Sequence, residues 1–144
     1  MATQRWCRAR LAPAFALSLM LAACGGGGGD YGSSSSGGAM LQPTLASIQA
    51  NVFTPICTRC HTGASAPQGL RLDDGASCGN LINVHSPQDS TLIRVVPGDP
   101  NASFIIQKLE GTQTVGARMP FGGPYLPQST IDVIRQWISD GATC

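Results

Sequence analysis

Charge is scarce in this chain. Lys and Arg number 9 and Asp and Glu 8 among 144 residues, and no basic stripe of the kind that phosphate binding needs runs through them. A nucleic-acid partner is therefore not expected. Arg5, Arg8 and Arg10 stand together ahead of an apolar run, which leaves six basic against eight acidic side chains in the remainder, a net of −2. Histidine is scarcer still, at two, His61 and His85. A second CxxC is absent, so a paired-motif zinc site would lack half its ligands. No stretch alternates convincingly as a half-buried strand would, and without a βαβ pattern a thioredoxin-like redox pair has no context. Glycine and proline, at 18 and 10, point instead to short helices and much loop.

The N-terminal part is expected to stay outside the fold. Residues 1–23 have a positive start and an apolar run over 11–22 too short to span a bilayer as a permanent helix. They end in Leu21-Ala22-Ala23-Cys24, which resembles a bacterial lipoprotein signal. The resemblance implies cleavage before Cys24 and acylation of that cysteine, and two or three acyl chains suffice for stable anchoring. Gly25 after the cysteine, rather than Asp, favours the outer membrane, with the domain in the periplasm or at the cell surface. Residues 24–43 read as the lipidated cysteine followed by a Gly/Ser tether, too poor in apolar residues to repay the entropy of ordering. Such a coil reaches roughly 20–25 Å.

Residues 44–144 suit one small domain with one core. Leu45, Ile48, Val52 and Ile56 recur at helical spacing after Thr44, a candidate N-cap, and Pro55 should kink or end that helix. Asp73-Asp74-Gly75 reads as a turn rather than a calcium loop, since no further carboxylates follow at ligand spacing. Asp99 and Pro100 read as the N-cap and first residue of a second helix running through about Leu109, with Phe104, Ile105 and Leu109 inward and Gly111 at its end. A third helix, with Ser129 and Asp132 placed as a capping box, carries Ile131, Ile134, Trp137 and Ile138 on one stripe and ends before Gly141.

The first helix runs into Cys57-Thr58-Arg59-Cys60-His61. This spacing is the attachment signature for c-type haem: two thiols about one turn apart add to the vinyl groups of one porphyrin, and the adjacent imidazole takes the proximal position on iron. For the distal position, Met119 in the Gly/Pro-rich loop of residues 116–127 and His85 in the polar segment of residues 83–90 are the candidates. Met119 would close the iron and favour electron transfer; an open position would favour sensing or peroxide chemistry. Arg118 reads equally as a propionate partner or a solvated side chain.

The order of these features resembles class I cytochromes c. The run Pro97-Gly98-Asp99-Pro100-Asn101-Ala102-Ser103-Phe104, then Arg118-Met119-Pro120, then Ile131 through Trp137-Ile138 to Gly141-Ala142, is similar to planctomycete-type cytochrome c domains. The resemblance covers about residues 45–142. It implies an all-α fold of about three short helices and long loops around one covalent haem c, His61 and Met119 as axial ligands, and Phe53 and Trp137 near the porphyrin. Cys78 and Cys144 depart from the simplest form of that pattern. As an even remainder in an oxidising compartment they are expected to pair, closing a loop worth roughly 4 kcal/mol in the chain-entropy model.

Three functions follow as expectations. The first is a monohaem cytochrome, not an enzyme, carrying single electrons between redox proteins at the envelope through weak, transient docking. The second is a haem-based sensor or peroxidase-like protein with an open sixth position. The third is a non-haem structural envelope lipoprotein.

Overall fold

The computed structural model describes residues 40–144. The signal, Cys24 and nearly all of the tether lie outside the described residues. Among those described, no helix is long and apolar enough to cross a membrane.

The first helical segment changes pitch three times in fifteen residues. Helix α1 (Leu45–Ile48) starts on Thr44, whose hydroxyl accepts from the Ser47 amide at 3.3 Å. Gln49–Phe53 widens into a π-helix, α2 (Thr54–Ile56) returns to α geometry, and Cys57–Arg59 tightens to a 3-10 turn. Pro55 is the physical cause, because it offers no amide to the turn before it. Side chains take up carbonyls along the irregular helix. The Asn51 amide donates to Ser47 O at 2.8 Å, Thr58 Oγ1 to Thr54 O at 2.6 Å, and Arg59 Nε to Pro55 O at 3.1 Å. The result sets Cys57 at the end of a buried face formed by Ile48, Val52 and Phe53.

A loop and a short helix, α3 (Ser77–Leu81), lead to an antiparallel hairpin, β1 (His85–Ser86) with β2 (Asp89–Ile93), whose register shifts between His85 and Ser86. This corrects the expected all-α fold: the domain is mixed α/β. The strands escaped the sequence reading because they are short and neither shows the full apolar–polar alternation, the second having two consecutive exposed residues followed by two half-buried ones. Asp89 shapes the second strand's start by accepting from the Thr91 amide at 2.9 Å and hydroxyl at 2.6 Å.

The second predicted helix begins later than expected. Asp99 Oδ1 accepts from the amides of Asn101 and Ala102, both at 3.0 Å, which makes a local turn, and α4 (Phe104–Glu110) starts after Ser103. Gly111 ends it in the left-handed conformation. Helix α5 (Gln128–Ser139) begins after Pro127 without a side-chain cap; Asp132 Oδ1 accepts from the Gln128 amide rather than closing a capping box with Ser129. Its end is a Schellman motif: the Gly141 amide donates to Ile138 O at 3.0 Å and that of Ala142 to Trp137 O at 2.9 Å. Ile131, Ile134, Trp137 and Ile138 join Ile48, Val52, Phe53, Leu81, Val95 and Ile106 in one core.

Cys78 and Cys144 are joined, with Cα atoms 5.9 Å apart and 66 residues between them in sequence. The bridge ties the C-terminus to α3. Replacing both by Ala is expected to lower stability by about 2–4 kcal/mol, read as a fall in the denaturant midpoint at unchanged slope. Dithiothreitol should reproduce that loss in the parent protein and leave the variant unmoved.

Candidate functional site

A cavity of about 870 Å³ opens between the first helical segment, the hairpin region, α4 and the loop of residues 111–127. Val52, Phe53, Ile56, Leu70, Leu72, Leu81, Phe104, Ile105, Leu109, Leu126 and Ile134 make most of its wall apolar. Its size falls within the roughly 300–1,000 Å³ typical of small-molecule sites. Phe121 and Tyr125, on the loop, expose their rings while also lining it.

Cys57, Cys60, His61 and Met119 all line this cavity, and His85 does not. Two backbone bonds organise the motif: the amides of Cys60 and His61 both donate to Cys57 O, at 3.2 and 2.8 Å. Both thiols are free. Burial pushes the Cys57 thiol up to about 11, so it stays protonated at neutral pH, whereas Cys60 is exposed. His61 donates its Nδ1–H to Leu70 O at 3.1 Å, which turns Nε2 into the unprotonated nitrogen. Its pKa is lowered mainly by burial and secondarily by the nearby Arg94 charge, against the opposing effect of the Leu70 carbonyl. His85, on β1, is exposed and donates Nδ1–H to Ser90 O at 2.7 Å.

Met119 is held by its backbone, whose amide donates to Lys108 O at 2.8 Å. The loop carrying it is pinned from both sides. Lys108 Nζ donates to Val115 O at 2.7 Å and to Ala117 O at 3.3 Å, and Arg118 Nε donates to Leu109 O at 3.0 Å. Arg118 also stacks on the Tyr125 ring, 4.0 Å from its centroid. It is thus occupied within the loop. Gly116 permits the close approach: at φ +70°, a Cβ there would lie 2.5 Å from Lys108 Nζ and 2.6 Å from the Gln88 amide nitrogen.

The expected haem c, with His61 and Met119 as iron ligands, is corrected at this site. Among the described residues, no three or more His, Cys, Asp or Glu side chains gather to hold a metal ion. One neutral imidazole beside a protonated thiol is not a preformed metal centre, and the convergence of four residues defines a cavity rather than an iron site. The electron-carrier role rested on that iron and is withdrawn with it. The class I cytochrome c assignment is withdrawn as well, since the expected domain was wholly helical and this one contains a hairpin. In the Asp73-Asp74-Gly75 turn, Asp73 accepts from Arg71 Nε at 3.1 Å, from the Gly63 amide at 3.3 Å and from the Thr62 hydroxyl.

Sequence reasoning passed over Arg94 and Lys108, both buried and both lining the cavity. The signal was available. Arg94 interrupts the apolar run of residues 92–96, and Lys108 falls four residues after Phe104, on the same helical face. Comparison with protein-family models, curated proteins and solved structures returned no match for the chain.

The two thiols should differ in reactivity, because alkylation needs the thiolate and access. Iodoacetamide at pH 8, followed by peptide mass spectrometry, is expected to label Cys60 at least about tenfold faster than Cys57. Equal labelling would contradict the burial of Cys57.

Proposed function

We propose that residues 44–144 form a ligand-binding module held at the bacterial envelope through lipid on Cys24, and that its ligand is a bulky, largely apolar small molecule. This develops the non-haem envelope lipoprotein among the three sequence readings, giving it a binding role. The observation that carries it is the cavity of about 870 Å³ with its predominantly apolar lining. Apolar wall left facing water is costly at about 25 cal/mol per Å², and a ligand that covers it recovers that free energy. Phe121 and Tyr125 supply further aromatic surface at the cavity, on a loop fixed by Lys108 and Arg118. Preorganisation of this kind lowers the entropy lost on binding.

Support for the envelope location comes from the sequence: the lipoprotein-like Leu21-Ala22-Ala23-Cys24 and the Gly/Ser tether after it.

Fluorescence titration with N-phenyl-1-naphthylamine, a neutral apolar probe, tests the binding role. The parent domain is expected to bind it and to unfold at higher temperature in its presence. Leu70→Asp, at a half-buried wall position, should weaken binding by at least about tenfold, since a carboxylate would then be desolvated by the ligand. An absence of binding, with the fold intact by circular dichroism, would refute the proposal. So would a haem-stained band on a denaturing gel when the full chain is made in a host with haem-maturation machinery; that outcome would reinstate the porphyrin.

Anchoring is tested separately. Cys24→Ala is expected to move the full chain from the membrane pellet to the soluble fraction and to abolish metabolic labelling by radioactive palmitate. Retention of the variant in the pellet after a carbonate wash would remove the lipid anchor from the reading.

A further inference from the structure

The geometry points to an amphipathic carboxylate as the occupant of this cavity, its apolar body on the hydrophobic wall and its acid group met by Arg94 and Lys108. The inference rests on the apolar-ligand reading above and narrows it to a chemical class.

Its basis is an imbalance of charge. Four side chains lining the cavity are basic by type, namely Arg59, His61, Arg94 and Lys108, and none is acidic. Arg59 is exposed and His61 is neutral at physiological pH. The other two are different. Arg94 is 7% exposed and Lys108 8%. Among the described residues, the ion pairs are Arg71 with Asp73 and Arg135 with Glu110, so neither Arg94 nor Lys108 has a carboxylate partner. A buried cation without a counter-charge is among the costlier features a small domain can carry, and two on one cavity call for a compensating anion.

Backbone carbonyls hold both groups in place without neutralising them. Arg94 donates from one terminal nitrogen to Asn80 O at 2.8 Å and from the other to Gln68 O at 2.7 Å. Lys108 uses two of its three donors on Val115 O and Ala117 O, and its ammonium lies 4.8 Å from the Phe104 ring centroid. Since a guanidinium has five N–H donors and an ammonium three, each retains donors for a ligand. Burial lowers the pKa of each, the mark of a cation drawn away from water. Ser86 and Gln88, from the hairpin, add neutral polar groups to the same lining. A ligand that is apolar throughout would leave these two charges desolvated and unpaired. One ending in a carboxylate converts them into charge-assisted hydrogen bonds.

The test compares oleate with oleyl alcohol, two probes with the same hydrocarbon chain, by displacement of N-phenyl-1-naphthylamine from the folded domain. Oleate is expected to bind at least about tenfold more tightly. Arg94→Met and Lys108→Met should each cut that preference severalfold, read as the ratio of oleate to oleyl alcohol affinity within each variant, and Lys108→Arg should preserve it. Should Arg94→Met fail to fold, the Lys108 pair of variants decides the matter. Equal binding of oleate and oleyl alcohol would overturn the carboxylate inference and leave the apolar-ligand reading standing. Failure of the fluorophore itself to bind would overturn that underlying reading.

Discussion

The interaction on which the rest depends is the burial of one stripe of α5, packed beside α4, in the core that the first helical segment shares. Ile131, Ile134, Trp137 and Ile138 share a core with Ile48, Val52 and Phe53, so the two ends of the domain close on each other. Trp137 is 1% exposed, and its indole N–H donates to Thr143 O at 2.9 Å, which fastens the chain just before the disulfide. Fully burying a side chain of this kind stabilises a fold by a few kcal/mol. With only about a hundred residues to work with, the domain has little other apolar area to draw on. The cavity is the part of the interior that this core leaves unfilled.

Polar side chains then fix what the core cannot. Gln49 is 6% exposed, yet each end of its amide is satisfied: its nitrogen donates to Leu72 O at 2.9 Å and to Thr54 Oγ1 at 3.0 Å, and its oxygen accepts from Ser77 at 2.6 Å. One residue of the irregular helix thereby positions the loop below His61 and the start of α3. Ser103 acts similarly between the hairpin and α4, accepting from the Val96 amide at 2.9 Å and donating to Asp99 O at 2.8 Å. No buried side-chain nitrogen or oxygen among those described lacks a partner. Arg94 and Lys108 belong to the same network. Their hydrogen bonds are made, but their charges are not matched.

Much of this was legible along the chain. Thr44 caps the first helix, the stripe of α5 is buried as its period implied, and Cys78 meets Cys144. These features rest on local rules: a hydroxyl at an N-cap, a 3.6-residue repeat, an even count of cysteines left over. The hairpin was not legible, because a two-residue strand and a five-residue strand are stabilised by their partners rather than by their own alternation. Asp99 competed with the helix for its own neighbours' amides and delayed the start of α4, a contest between two local motifs that composition does not decide.

At the site the division is sharper. The sequence alone put Cys57, Cys60 and His61 within five residues, and the local turn follows from that spacing, with the amides of Cys60 and His61 both closing onto Cys57 O. It also put Met119, in its Gly/Pro-rich loop, ahead of His85 as a candidate. Only the tertiary structure decided that Met119 reaches the cavity and His85 stays outside, because that depends on how α4 pins the loop through Lys108. It alone decided, too, that Arg94 and Lys108 are buried beside the same apolar wall. Burial and the absence of a counter-charge are properties of neighbours brought together from distant parts of the chain, and a linear pattern does not contain them.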